Sequence, residues 1–269
     1  MRPVTATRFG LSLGLGLGLA AVLAAPAQAL DLAALNNRNE LVLFTDKAPA
    51  KATTLPITGV EGKILGIDLR PANNTLYGLS SSGMLYTIDT KTGAAKAGAK
   101  LNVALDAIDA LVVDFNPQAD RLRVIGSTGQ NLRVNVDNGQ TIVDGKLAYS
   151  AKDAAAGKTP MVTAGAYINS YAGAKQTQLF EFDSGLPAYI VQDPPNDGQL
   201  RSVMALKLDK GVVISGIDIY TDAKDDYHGF AVIGASLYRF DVGTGKIRRA
   251  GTVGKGDAAL IDIAVLNLR

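Results

Sequence analysis

Four aspartates at equivalent positions of a repeated segment are the residues best suited to chemistry. Each follows two small or apolar residues, and the four are Asp68, Asp114, Asp218 and Asp262. Carboxylates that a repeat brings together offer the hard oxygen ligands that Ca²⁺ selects. Their crowding would also raise their pKa values, as acid–base hydrolysis of a glycosidic bond requires. We favour a third role, in which each carboxylate accepts backbone N–H bonds at a strand end or between repeats.

Three arginines form a second candidate group. Arg121 and Arg123 share one face of a strand by the two-residue alternation, and Arg133 lies on the strand expected to pair with it. A guanidinium cluster of this kind binds a carboxylate or phosphate ligand. Cross-strand pairing with Asp120 and neighbouring acids is the alternative.

The scarcity of other reactive residues restricts the possible chemistry. His228 is the only histidine and the chain has no cysteine. A multi-histidine metal site and a thiol nucleophile are therefore excluded, and a Ser-His-Asp triad would require His228 as its base. No positive sequence signal for catalysis remains beyond the four aspartates.

The elements that must position these residues recur about every 45–50 residues, a period typical of four-stranded propeller blades. The inner-strand aspartates, with Gly165-Ala166-Tyr167 as a fifth copy that carries Tyr in place of Asp, count five repeats. A second series ends third strands and predicts hairpin turns; its members are Asp46, Asp89, Asp137, Asp193 and Asp241. We therefore predict an all-β, five-bladed propeller of four-stranded antiparallel blades, with six blades as the alternative.

The two ends of the repeat region are complementary. It begins with second- and third-strand material from Asp31 to Asp46 and ends with a lone inner strand from Leu260 to Leu268. Pairing of these segments would complete the fifth blade and close the ring without a free sheet edge. We predict a single domain over residues 30–269.

Residues 1–29 have the features of a cleaved signal peptide. Arg2 and Arg8 precede an uncharged apolar stretch, and Ala27-Gln28-Ala29 fits a small-x-small cleavage site. We expect a periplasmic or extracellular protein that is not inserted in the membrane after cleavage. The alternative is an uncleaved anchor helix, because no charge appears between Arg8 and Asp31. The whole chain has 27 Lys and Arg against 25 Asp and Glu, so loss of the two arginines leaves 25 of each. This balance gives no electrostatic reason to expect a nucleic acid partner.

Several motifs resemble a bacterial family of secreted proteins known as a domain of unknown function. They are Arg70-Pro71-Ala72 with Leu76-Tyr77-Gly78-Leu79, Asp114-Phe115-Asn116-Pro117 with Asp120-Arg121-Leu122-Arg123-Val124, Thr128-Gly129-Gln130-Asn131-Leu132-Arg133 and Pro194-Pro195-Asn196-Asp197-Gly198. The resemblance covers residues 30 to about 266 and implies a propeller-like exported domain. It implies no substrate and no catalytic residue.

Function is expected to concentrate on loops at one rim of the ring, because loops on a rigid scaffold carry most binding sites. The loops are Ser80–Gly83, Asp106–Asp109, Ser127–Asn131 and the longer Ser150–Thr159. Gln130 and Asn131 would offer amide groups to a polar ligand there.

We predict an exported, monomeric, non-catalytic scaffold that binds a small molecule or a protein. The alternative is a propeller hydrolase, glycosidase-like or lactonase-like, that uses the inner-strand acids with or without Ca²⁺. It requires at least two of those acids to be exposed in one pocket.

Overall fold

The computed structural model describes residues 29–106, 111–209 and 211–266. The expected signal peptide, apart from Ala29, lies outside the described residues, as do residues 107–109 of one predicted rim loop and residues 267–268 of the predicted last strand. Within the described ranges, no helix is long and apolar enough to cross a membrane.

The strands group into five sheets along the chain. The first three strands of the chain are β1 (Asp31–Asn36), β2 (Glu40–Thr45) and β3 (Thr53–Pro56). The first blade contains β4 (Ile64–Arg70), β5 (Thr75–Ser80), β6 (Met84–Ile88) and β7 (Ala95–Lys100). The second contains β8 (Leu111–Asn116), β9 (Arg121–Gly126), β10 (Asn131–Val134) and β11 (Thr141–Val143).

The remaining strands complete the ring. After β12 (Ala148–Tyr149), the third blade contains β13 (Val162–Tyr167), β14 (Leu179–Asp183), β15 (Ala188–Gln192) and β16 (Gln199–Ala205), with a 3₁₀ turn at Pro195–Asp197. The fourth contains β17 (Gly216–Thr221), β18 (Tyr227–Ile233), β19 (Ser236–Phe240) and β20 (Ile247–Thr252). The last strand is β21 (Leu260–Val265).

The five-bladed propeller predicted from the repeats is confirmed. Each blade is an antiparallel meander, and β4, β8, β13, β17 and β21 follow one another around the axis, with β21 also against β4. The third blade gains a short fifth strand, because β12 runs parallel to its outer strand β16.

Ring closure follows the predicted pairing of the chain ends. The last strand β21 pairs antiparallel with β1, in the register Leu32↔Val265 and Ala34↔Ile263. The fifth blade then has the order β21-β1-β2-β3, so its innermost strand is the last strand of the chain.

The hydrophobic core is divided among the interfaces between blades. Five clusters of buried apolar residues each join residues of two neighbouring blades. Tyr77 of the first blade, for example, packs edge-to-face on Phe115 of the second, with ring centroids 5.4 Å apart. Both faces of each blade are covered in this way, which explains why the inner strands are apolar almost without alternation.

Two glycines allow the inner strands to approach closely. A Cβ atom on Gly216 of β17 would lie 2.5 Å from Cα of Asp262, and one on Gly66 of β4 would lie 2.5 Å from Cγ2 of Val113. The axial channel is therefore narrow at the level of the aspartates.

Candidate functional site

The inner-strand aspartates tie neighbouring blades together. An inner strand has a sheet partner on one side only, so its other edge presents backbone N–H groups that need an acceptor. Four carboxylates supply it. The bonds run from Ile67 N–H to Asp262 (2.8 Å), from Phe115 N–H to Asp68 (2.7 Å), from Tyr167 N–H to Asp114 (2.9 Å) and from Val265 N–H to Asp218 (2.6 Å).

Three of these carboxylates also accept a bond from their own strand. In Asp68, Asp218 and Asp262, the second oxygen accepts the N–H of the following residue at 2.6–2.9 Å. The cross-blade and local bonds together are the structural role that the sequence favoured.

The interface between the third and fourth blades is built differently. Tyr167 occupies the position of the repeated aspartate, as the sequence indicates. Hydroxyl groups provide the polar links instead: Thr221 Oγ1 accepts the N–H of Asn169 at 3.0 Å, and Thr163 Oγ1 donates to the carbonyl of Ile214 at 2.7 Å.

Burial and mutual repulsion disfavour ionisation of the acids. The carboxylates of Asp68, Asp114 and Asp218 each bring one oxygen within 4.8 Å of the others, and all three residues are buried. Burial is the largest cause of the raised pKa of Asp68 and Asp114, and the neighbouring acids add to it. Burial raises the pKa of Asp218 to about 6, and it also raises that of Asp262. Such a cluster either shares protons or holds a cation with oxygen ligands.

The structure brings two of the three candidate arginines together. Arg123 and Arg133 are cross-strand partners, and both donate to Asp144, at 2.6 Å and 2.7 Å. Arg121 is separate and donates to the backbone carbonyl of Asp120 at 2.8 Å. Asp144 gave no sequence signal, because it follows β11 outside both repeated aspartate series.

The two candidate amides are engaged inside the protein. Asn131 is 1% exposed, and its side chain accepts from Arg123 and donates to the carbonyls of Gly145 and Pro195. Gln130 holds a neighbouring loop by donating to the carbonyl of Ala104 at 2.9 Å.

Arg123 is the centre of a buried polar cluster between the second and third blades. Its guanidinium also donates to Tyr167 Oη at 3.2 Å and to Asn196 Oδ1 at 2.9 Å. Three motifs that carry the family resemblance thus meet at one place, since they contain Arg123, Asn131 and Asn196. A fourth motif supplies Arg70, which clamps Asp120 and Asp137 of the next blade.

A cavity of about 260 Å³ opens on the axis where the inner strands begin. It is lined by Asn36, Asn37, Asn39, Lys63, Ile64, Leu65, Leu111, Val213, Ser215 and Ile261. Lys63 is the charged member of this lining within the described ranges. The carbonyl of Lys63 accepts the N–H of Ser81 at 2.8 Å, so the predicted rim loop at residues 80–83 borders the same mouth.

The third-strand acids lie at turns, as expected, and some also bridge blades. Asp89 accepts the N–H groups of Lys91 and Thr92, which is turn chemistry. Asp46 of the fifth blade instead pairs with Arg239 of the fourth. His228 is the second residue of β18 and contacts Asp222 at 3.2 Å.

Comparison with solved structures shows the fold. A structural genomics protein of unknown function from Bacteroides thetaiotaomicron VPI-5482 aligns with a TM-score of 0.51 and 15% identity. The alignment covers 88% of this chain and 64% of that one, so this chain spans about two thirds of its length. A chain of a nidogen/laminin complex aligns with a TM-score of 0.52 and 10% identity, covering 89% of this chain and 99% of that one.

Comparison with curated protein sequences finds no match. The model of one family, "Domain of unknown function (DUF4394)", matches residues 40–264. The chain belongs to this family, in agreement with the resemblance that its motifs show.

Proposed function

We propose that this member of the DUF4394 family is an exported, non-catalytic propeller. It binds a small molecule in the cavity of about 260 Å³ where the inner strands begin, which we call the axial mouth. The observation that carries the proposal is the use of the four inner-strand carboxylates. Each accepts an amide from a neighbouring blade, and their exposure is 2–7%. Carboxylates that are bonded in this way hold the blades together and are shielded from a substrate.

The same geometry argues against the glycosidase-like form of the hydrolase alternative. Glycoside hydrolysis needs two carboxyl groups on either side of an accessible bond, about 5–10 Å apart. Here three carboxylate oxygens lie within 4.8 Å of one another in a narrow, buried channel. A sugar ring cannot enter between them without separating the blades.

The mouth of the channel is the better place for a ligand. The residues that line it combine apolar side chains, among them Val213 with 41% exposure, with three asparagines and Lys63. Small-molecule sites have this composition, an apolar surface with a few placed polar groups. The cavity is small, and the positive charge of Lys63 favours a compact carboxylate with an apolar body.

Export is part of the proposal and rests on the first 29 residues. The basic start, apolar stretch and Ala27-Gln28-Ala29 site support cleavage and release outside the cytoplasm. Fractionation of cells that express the full chain should yield a periplasmic or secreted protein whose first residue is Leu30. A cytoplasmic protein that retains Arg2 would overturn this part.

The binding proposal is tested by thermal shift with compact carboxylates, for example benzoate and hexanoate, on the mature protein. At least one probe should raise the Tm of the wild type. The Lys63→Glu variant should lose the shift, because its charge repels the carboxylate. Lys96→Glu is the matched control, since Lys96 lies exposed on the outer strand β7. Shifts that are absent from the wild type, or unchanged in Lys63→Glu, would contradict the proposed site.

A further inference from the structure

Two buried side chains of the third blade have oxygens without a hydrogen-bond partner among the described residues. Both carboxylate oxygens of Glu181 and Oε1 of Gln192 are in this state, and the two residues are 0% and 1% exposed. A buried polar atom without a partner costs free energy, so each one in a folded protein needs an explanation.

The two side chains lie on the same face of the blade. Glu181 of β14 is paired with Ile190 of β15, and Gln192 follows two residues later on that strand. Side chains two residues apart on a strand share a face, as do directly paired ones. The orphan oxygens are therefore diagonal neighbours, not isolated defects.

This face looks onto Arg123 of the second blade. Arg123 influences the pKa of Glu181, yet the four bonds of its guanidinium go to Tyr167, Asn131, Asp144 and Asn196. Gly165 makes room for the carboxylate, because a Cβ there would lie 3.0 Å from Cγ of Glu181 and 3.0 Å from Cγ1 of Val112.

The charges around the unpaired oxygens of Glu181 and Gln192 argue against a bound ion at this place. The titratable groups that interact with Glu181 are Arg123 on β9, Tyr149 on β12 and Asp183 on β14. Arg123 in turn contacts Tyr167 on β13 and Asp144 after β11, which also pairs with Arg133 on β10. Arg123 and Arg133 balance Asp144 and Asp183 when Glu181 is protonated. Asp183 is already bonded to Tyr149 Oη and to three backbone N–H groups.

The three unpaired oxygens also determine what kind of molecule can bond to them. All three are acceptors, so what they lack is a donor. Protonation of Glu181 supplies a single O–H, which can satisfy at most one other acceptor, so at least one of the three oxygens still lacks a donor. Burial raises the pKa of Glu181 to about 8, so near neutral pH both of its protonation states matter. The bound molecule must therefore form hydrogen bonds with the neutral carboxyl as well as with the carboxylate. A neutral molecule that both donates and accepts fits both states.

We propose that ordered water molecules occupy a polar chamber between the second and third blades, bonded to Glu181, Gln192 and the guanidinium of Arg123. Buried waters typically make about three hydrogen bonds to polar groups that the protein leaves unpaired. Asn196 closes the chamber on the outside: it is exposed, and its side chain accepts from Arg123. Water exchanges with solvent past this residue, so the two blades meet through a hydrated contact.

A crystal structure of the mature protein at about 1.5 Å resolution tests this directly. We expect at least two solvent peaks within about 2.6–3.2 Å of the three oxygens. Side chains repacked so that the three oxygens bond only to protein would overturn the proposal. A peak at about 2.3–2.5 Å with six or more oxygen ligands would also overturn it, since that geometry belongs to Ca²⁺.

Two variants test it in solution. In a hydrated chamber, Glu181→Leu strands the waters and should lower the Tm by roughly 3–8 °C, whereas Glu181→Gln should keep it nearly unchanged. In a dry chamber, Glu181→Leu removes an unpaired group and should raise the Tm, which would contradict the proposal. If Glu181→Leu does not fold, the wild-type crystal structure decides.

Discussion

Asp262 and Ile67 are 195 residues apart in the sequence, and the carboxylate of the first accepts the backbone N–H of the second at 2.8 Å. This bond joins the last strand to the first blade, so it spans the interface that ring closure creates. The same strand β21 pairs with β1 within the fifth blade. Closure therefore depends on one strand that serves two blades.

Deletion of residues 257–269 should abolish cooperative folding of the whole ring. The fifth blade would lose its innermost strand, and Ile67 and Asp218 would lose their cross-blade partners, Asp262 and Val265. Thermal unfolding followed by circular dichroism should show no sharp transition near that of the full domain. An unchanged Tm would show that closure contributes little.

Stability should fall as the pH rises from about 4 to about 7. The folded-state pKa of Asp218 is raised to about 6, above its ordinary value of 3.8, so the folded protein binds more protons than the unfolded chain between these values. Its contribution is fully present below pH 4 and is lost as the pH passes 6. The loss for this one group is on the order of 2–3 kcal/mol. Urea unfolding at several pH values measures it.

Asp218→Asn is the control for this pH dependence: an amide cannot titrate, so the variant should lose the share of the pH dependence that Asp218 contributes, while the other buried acids still titrate. Millimolar Ca²⁺ distinguishes shared protons from a bound cation. A Tm that rises with Ca²⁺ at pH 7 in the wild type, but not in Asp114→Asn, would assign a cation to the cluster of Asp68, Asp114 and Asp218.

Gly216→Ala should destabilise the protein by about 2–4 kcal/mol, since overpacking against a backbone atom leaves no flexible group to move. The added Cβ would lie 2.5 Å from Cα of Asp262. Gly243→Ala is the matched control: its nearest neighbour would be 3.5 Å away, and Gly243 is exposed. The control should remain within about 0.5 kcal/mol. Equal losses in the two variants would mean that the inner strands do not meet so closely.

Arg70→Lys should cost about 1–3 kcal/mol although the charge is kept. Arg70 forms forked contacts to both Asp120 and Asp137, and its side chain is 9% exposed. Lysine cannot reproduce two planar pairs at once. Arg201→Lys is the comparison, because the pair between Arg201 and Asp193 is half exposed and should contribute about 0–1 kcal/mol. Chemical denaturation of both variants at one pH gives the difference.

The sequence predicted the architecture because each blade repeats the same local pattern. Asp68 and its counterparts could be recognised by their neighbours, and the count of five followed. The sequence also showed that Tyr167 breaks the series. It could not show which N–H each carboxylate accepts, because that depends on how closely the next blade approaches, which is set by packing.

The cluster around Arg123 was harder to predict, for a different reason. Its members lie far apart in the chain, as with Asn196, which is 73 residues from Arg123. Charge patterning indicated a cluster of three arginines, yet Arg121 has a separate partner and Asp144 completes the set. No local pattern marks Glu181, whose carboxylate is significant only because the folded chain leaves it unpaired.

The break in the aspartate series at Tyr167 has a mechanical consequence. Four of the five interfaces between blades contain a hydrogen bond from a backbone N–H to an inner-strand carboxylate. Among the described residues, the interface between the third and fourth blades contains hydroxyl hydrogen bonds instead. Local opening of a protein starts where the fewest strong contacts must break. We therefore expect the ring to open first at the interface between the third and fourth blades, so that the backbone amides of β13 and β17 exchange with solvent before those of the other inner strands.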